Sequence, residues 1–165
     1  VARKINKKSP AKSAKPTPKK VASKAKPKGP KNPATITTGK GASAREIGDS
    51  LVELYNAGKW DEPCKKWWSP KIVSVEGAGM AWSGRAAVLA KNADWYTQHK
   101  VLGGSAEGPF VGASGFAVKF RMEFEVKASG QRIQMDEVGV YTVSNGKIVR
   151  EEFMYGAMTM QQGAA

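Results

Sequence analysis

Residues Gly115 to Tyr155 read GFAVKFRMEFEVKASGQRIQMDEVGVYTVSNGKIVREEFMY, and the fold turns on this stretch. Phe116, Val118, Phe120, Met122, Phe124 and Val126 alternate with Ala117, Lys119, Arg121, Glu123, Glu125 and Lys127. Period-two alternation sustained this long predicts a strand with one buried face. Asn145-Gly146 separates two further strand-like runs and predicts a tight hairpin, because both central residues of a type I′ turn need positive φ. Ser129-Gly130 is a weaker signal of the same kind. The stretch is therefore expected to be an antiparallel meander of at least three strands.

Two-residue loops at both turns would set Val126 against Ile133, Phe124 against Met135, Met122 against Glu137, Val143 against Ile148, Tyr141 against Arg150, Gly139 against Glu152 and Glu137 against Met154. Paired residues share a face. On that register the apolar face of the first strand continues through Ile133 and Met135. It turns polar at Glu137, Arg150 and Glu152, as a core would that opens into a pocket. Val138, Val140, Val149, Phe153 and Tyr155 fall on the opposite face, which is apolar enough for another chain. A slip of one residue in either hairpin would exchange these roles.

The net charge of +13 is concentrated. Residues 1–40 carry thirteen Lys or Arg and no acid, which leaves fourteen of each sign in residues 41–165. That basic segment is rich in Lys, Pro, Ala, Ser and Thr and has almost no large apolar residue. It is expected to be disordered, as is the short end 159–165. The domain is expected over 43–158, after a tail of residues 1–42. Ser9-Pro10-Ala11-Lys12 and Thr17-Pro18-Lys19-Lys20 resemble the Ser/Thr-Pro-basic repeats of linker-histone tails. A flexible polycation binds polyanions by releasing counterions. Lys12, Lys19 and Lys20 are accordingly the expected nucleic-acid contacts, with a solubilising or address role as the alternative. Cys64 is the sole cysteine, so no intramolecular disulfide or thiolate metal cluster is expected. No apolar run reaches transmembrane length and no secretory signal is visible, so a cytoplasmic protein with no membrane partner is expected.

Between the tail and the meander, Ser43 through Glu46 fits a capping box opening a helix with Ile47, Leu51, Leu54 and Tyr55 on one stripe. Asp61 can cap a second helix through Trp68, ended by Ser69-Pro70. Ile72 to Glu76 is a short strand. Ser83 can cap a third helix to about Gln98, with Val88, Asn92, Trp95 and His99 on its stripe and Leu89 and Tyr96 alongside. Lys100 to Gly112 suggests an irregular, bulged strand. The order predicts an α+β fold: a curved antiparallel sheet with three helices packed on its concave face.

Leu54-Tyr55-Asn56-Ala57-Gly58-Lys59-Trp60, the strand ending Val75-Glu76, Trp82-Ser83-Gly84-Arg85-Ala86-Ala87-Val88 and Val140-Tyr141-Thr142-Val143 running on through Gly146-Lys147-Ile148-Val149 resemble the SnoaL-like branch of the nuclear transport factor 2-like superfamily. The resemblance covers about residues 43–157. It implies a cone-shaped α+β barrel with an interior pocket, usually dimerising through the outer sheet face. Its relatives include ketosteroid isomerase, polyketide cyclases, limonene epoxide hydrolase and non-catalytic binders, so the fold alone does not give a function. In the isomerase pattern a carboxylate after the first strand moves a proton, while a first-helix tyrosine and a protonated carboxyl hold the oxyanion. By resemblance the base falls within a residue of Glu76, the later carboxyl within a residue of Glu137, and the tyrosine on Leu51, which cannot donate. Tyr55 lies one turn further on.

Glu137, Glu76 and His99 are the candidate catalytic groups. Glu137 reads as a buried acid or as a structural partner of Arg150 or Arg121; His99 as a base on the inward stripe or an exposed residue at a helix end. Tyr55, Trp82, Trp95, Met122, Tyr141, Glu152 and Met154 are candidate ligand contacts, and Val138, Val140, Val149 and Phe153 a homodimer interface. One His and scattered acids give no metal pattern, and no cofactor motif is present. Two functions follow. One is a pocket for a small apolar or partly polar ligand, with isomerase- or cyclase-type acid–base chemistry. The other is a non-catalytic dimer tethered to DNA or RNA by its basic tails.

Overall fold

The computed structural model describes residues 41–161. The basic tail, with the expected nucleic-acid contacts Lys12, Lys19 and Lys20, lies outside the described residues, as do residues 162–165. Helix α1, Ala44–Asn56, opens on the capping box at Ser43 and Glu46. Ile47, Gly48 and Leu51 are its buried stripe. Asn56 accepts from the Ala106 amide at 2.7 Å and donates to the Ala106 carbonyl at 3.1 Å, which fastens the helix to β3 (His99–Val111). Helix α2 is shorter than expected, Glu62–Trp67, and Asp61 makes no side-chain cap. Trp68 opens strand β1, Trp68–Val75, instead of closing the helix, because its indole is needed in the core. Strand β2, Ala81–Ser83, was not expected; it forms because Gly77 to Gly79 turn the chain back along β1. Helix α3, Arg85–Gln98, is preceded by Gly84, not by a capping Ser83 side chain.

Strand β3 is bulged between Val101 and Gly103 and again between Glu107 and Phe110. Strand β4 is Gly115–Val126, β5 is Gln131–Ser144 and β6 is Lys147–Gln161, so β6 passes beyond the domain end expected at residue 158. The sheet order is β2-β1-β6-β5-β4-β3. Every pairing is antiparallel except β1 with β6, which is parallel, so the sheet is curved and mixed rather than purely antiparallel. The core gathers α1, α2, the Val88 side of α3 and one sheet face, with Ile47, Ile72, Val88, Val118 and Ile148 fully buried.

The two hairpins decide which residues face that core. At the first, Val126 pairs with Gln131, Phe124 with Ile133 and Met122 with Met135, so the loop holds four residues and the expected register is off by two. A shift of two returns every side chain to the same face. At the second, Ser144 pairs with Lys147 and Val143 with Ile148 across Asn145 (φ 50°) and Gly146 (φ 71°), as expected. One step further the ladder slips: Thr142 pairs with Arg150, not Val149. Val149 is the extra residue of a bulge. From there on Tyr141 faces Glu151, Gly139 faces Phe153 and Glu137 faces Tyr155. The slip is by one, so β6 exchanges its faces.

Candidate functional site

The exchanged faces correct the expected site on β6. Glu152 and Met154 pair with Val140 and Val138 and stand on the outer side of the sheet, as does Arg150. Phe153, expected at an outer interface, and Tyr155 turn inward and line a cavity of about 420 Å³ beneath α1, α2 and α3. Val138 and Val140 keep their outward position, with Val140 39% exposed.

Glu151, Phe153 and Tyr155 on β6 and Tyr141, Gly139 and Glu137 on β5 form three successive inner rungs. Ser74 on β1 extends the first rung beside Glu151, and Phe120 on β4 extends the third beside Glu137. Gly139 leaves the β5 side of the middle rung without a side chain. A Cβ there would lie 2.8 Å from the Tyr141 hydroxyl and 3.1 Å from the Phe120 ring. The space lets two aromatic rings fold over the rung between the two carboxyl groups. Helix α3 supplies Lys91, Asn92 and Trp95 at i, i+1 and i+4, and α1 supplies Leu51 and Tyr55. Leu89, read alongside the stripe, is instead exposed.

Three glutamates therefore line one cavity, and among the described residues Lys91 is the only Lys or Arg on its lining. Lys91 forms an ion pair with Glu76 and reaches the Ser74 hydroxyl at 3.4 Å. The Tyr155 hydroxyl donates to the other Glu76 oxygen. Both side chains of the Lys91–Glu76 pair are about five-sixths buried, at 16% and 17% exposure. Lys91 also lies 5.3 Å from the Trp82 ring centroid and 5.8 Å from that of Phe153. Glu76 is thus anchored by an ion pair and a hydrogen bond.

Glu137 has no such support. Burial pushes its carboxyl up to about 7, the charge of Glu76 adds to the rise, and Lys91 only partly offsets it. The structural alternative for Glu137 does not hold: Arg121 pairs with Asp136 at 3.0 Å and Arg150 with Glu152 at 2.9 Å, both on the outer side. Glu151, 2% exposed, is likewise raised to about 7 by burial, although hydrogen bonds from Ser74 and Trp68 oppose the rise. Tyr55 and Tyr141 are pushed well above the usual phenol range by burial, so both keep their proton and can donate. The Cys64 thiol is pushed up in the same way. The Trp60 Nε1 hydrogen is buried without an acceptor among the described residues, on a residue that lines the cavity.

Among the expected ligand contacts, Tyr55, Trp82, Trp95, Met122 and Tyr141 line the cavity with Glu76 and Glu137. His99 does not. It stacks on Trp95 at 4.5 Å between ring centroids, meets Phe124 edge-on at 5.2 Å, and its Nδ1 sits 2.9 Å from the Trp95 carbonyl. Those contacts use the ring as packing. Glu151 and Lys91 were missed. Glu151 was hidden by the bulge. Lys91 falls at i+3 from Val88 on the inward stripe, and that spacing was the available signal. Among the described residues, no group of three or more His, Cys, Asp or Glu could hold a metal ion, and no helix is long and apolar enough to cross a membrane.

The SnoaL-like domain profile matches residues 42–155. No curated protein matches the sequence. Among solved structures, a protein from Mesorhizobium loti named as a SnoaL-like polyketide cyclase and carbohydrate phosphatase is 38% identical. Its match covers 69% of this chain and 100% of that one, with a TM-score of 0.66. Two others share the fold at lower identity. One from Pseudomonas putida KT2440, named as a polyketide cyclase, is 17% identical over 70% of this chain and 93% of its own, with a TM-score of 0.56. One from Jannaschia sp. CCS1, named as a SnoaL-like polyketide cyclase, is 19% identical over 70% and 91%, with a TM-score of 0.54.

Proposed function

The chain belongs to the SnoaL-like domain family, and from that premise we propose that it binds a small, largely apolar molecule in the cavity and moves a proton on it, as a cofactor-independent isomerase or cyclase does. The observation that carries this reading is Glu137. It is a carboxyl in an aromatic cavity, without an ion pair among the described residues, and poised near neutral pH. A group with its pKa near the working pH takes up and returns protons most effectively. Glu137 is the mobile base, Glu76 is fixed by Lys91 and Tyr155, and the protonated Tyr55 hydroxyl is the donor available to a developing oxyanion.

The test is loss of deuterium from the acidic carbon of cyclic β,γ-unsaturated ketones and β-dicarbonyl compounds, followed by NMR. The full chain should accelerate exchange for at least one compound, with the rate rising through pH 7. Glu137→Gln should lose about 100-fold or more, the usual range for a general base. No acceleration over buffer for any compound, or an unchanged rate in Glu137→Gln, overturns the assignment.

Two further proposals rest on less. The outward Val138 and Val140 fit a homodimer contact. The thirteen cations of residues 1–40 fit attachment to DNA or RNA, with a non-catalytic domain as the corresponding reading. Replacing Lys12, Lys19 and Lys20 by Gln in the full chain should weaken DNA binding and flatten its salt dependence. Unchanged mobility shifts at low salt refute that reading.

A further inference from the structure

Charge around the cavity does not balance. Among the described residues, four acidic side chains line it, Glu76, Asp94, Glu137 and Glu151, against the single cation Lys91. Lys91 is already committed to Glu76. That leaves the two buried carboxyl groups, Glu137 and Glu151, with no cation of their own. An unpaired buried carboxylate is costly, so burial pushes each group up to about 7 and each carries a proton part of the time at neutral pH. A negatively charged ligand would meet these groups with no Arg and no second Lys to receive it.

The walls point the same way. Ten of the lining residues are aromatic, among them Tyr55, Trp60, Trp82, Trp95, Phe153 and Tyr155, so a ligand's surface meets mainly ring faces and edges. Ring faces attract cations, most strongly where water is excluded. The protein seats one ammonium in this way itself: Lys91 lies over the Trp82 and Phe153 rings while paired with Glu76. The unpartnered Trp60 Nε1 hydrogen, on the same lining, calls for an acceptor that the described residues do not provide.

We infer that the cavity takes a small organic cation, a protonated or quaternary amine with an apolar body, whose positive nitrogen sits against Glu137 and the aromatic wall. The inference rests on the ligand-cavity reading and names the class of molecule that enters. It also gives the base its trigger. A cation beside Glu137 stabilises the carboxylate, so the ligand's arrival expels a proton and leaves Glu137 in its base form. The titratable groups that line the cavity with Glu137 are Tyr55 from α1, Cys64 from α2, Glu76 just after β1, Lys91, Asp94 and Tyr96 from α3, Tyr141 on its own strand, and Glu151 and Tyr155 from β6. None of them but Lys91 is cationic. Strand β4 brings only Phe120 and Met122 to the lining.

Calorimetric titration of the full chain with benzyltrimethylammonium, benzyl alcohol and benzoate separates the outcomes. At pH 8 the cation should bind at least about tenfold more tightly than benzyl alcohol, and benzoate more weakly than either. Its affinity should fall by about tenfold from pH 8 to pH 6 as the carboxyl groups take up protons. At pH 7 binding should release a proton, read as a heat that changes with the buffer's ionisation enthalpy. Glu137→Gln should lose most of the preference for the cation and most of the proton release while still binding benzyl alcohol. The wild-type pH series needs no variant to fold. If the cation and benzyl alcohol bind equally, or cation affinity is flat between pH 6 and 8, the inference is overturned and the cavity reading stands. If none of the three binds, both fall.

Discussion

Glu151 and Glu152 are neighbours in sequence and opposites in chemistry. Glu151 is 2% exposed, sits on the inner rung with Ser74 and Tyr141, and has its carboxyl raised to about 7 by burial. The Glu152 side chain is 49% exposed and forms an ion pair with Arg150 on the outer side. Nothing intrinsic to the residue separates them. Strand geometry sends consecutive side chains to opposite faces, and the extra residue at Val149 decides which one goes in. The same bulge carries Phe153 inward and Met154 outward. Function along β6 is assigned by phase, and that phase is set three residues after the turn, at Val149.

The largest effect that would break this contrast is on the next pair. Phe153→Asp puts a charge into the cavity wall and should cost roughly 3 kcal/mol or more, whereas Met154→Asp, at a side that is 54% exposed, should cost under about 0.5 kcal/mol. Urea unfolding of both variants measures it; equal losses would mean that the slip at Val149 is wrong.

Next comes pH. Glu137 and Glu151 hold their protons more tightly folded than unfolded, since each carboxyl moves from 4.5 to about 7. The resulting stabilisation is fully present below about pH 4.5 and is lost as pH rises through 7, on the order of 3 kcal/mol per group. Unfolding free energy measured from pH 4.5 to 8 should therefore fall. Glu137→Gln and Glu151→Gln should each flatten the slope, and Glu152→Gln should leave it unchanged. A wild type whose stability rises over that interval would contradict the burial of both carboxyl groups.

On the outer face, Val140→Lys should convert the proposed homodimer to monomers with little change in unfolding free energy of the domain. Light scattering reads the mass, and an unchanged mass denies Val140 a place in the contact. The smallest effect belongs to the exposed ion pair: Glu152→Gln should change stability by less than about 0.5 kcal/mol, because solvent screens the pair. A loss above 1 kcal/mol would show that the outer side is more enclosed than a free surface, which would sharpen the case for a partner there.

Much of this arrangement is legible in the sequence. Alternation from Phe116 to Val126 identifies β4 and its buried face, the Ser43–Glu46 box opens α1, and Asn145-Gly146 fixes the second turn. The order of motifs from Leu54 to Val149 points to the SnoaL-like family, and the candidates Glu76, Glu137, Tyr55, Trp82, Trp95, Met122 and Tyr141 line the one cavity. The error of two at Ser129-Gly130 did no harm, because an even shift keeps the pleat. The error of one at Val149 moved Glu151, Phe153 and Tyr155 in and Glu152 and Met154 out.

What the sequence determined by itself is what depends on neighbours along the chain: helix starts, strand periodicity, turn chemistry, and the uneven spread of charge that leaves residues 41–165 with fourteen of each sign. What only the tertiary structure decided is what depends on which strands meet. The parallel pairing of β1 with β6 brings Ser74 beside Glu151. The packing of α3 over the sheet turns Lys91, by composition a solvent residue, into the counter-charge of Glu76 and into a cation against Trp82 and Phe153. Pairing register and helix docking are set by the summed burial of many distant side chains, and one bulge costs too little locally to announce itself in a run of Ile, Val, Arg and Glu.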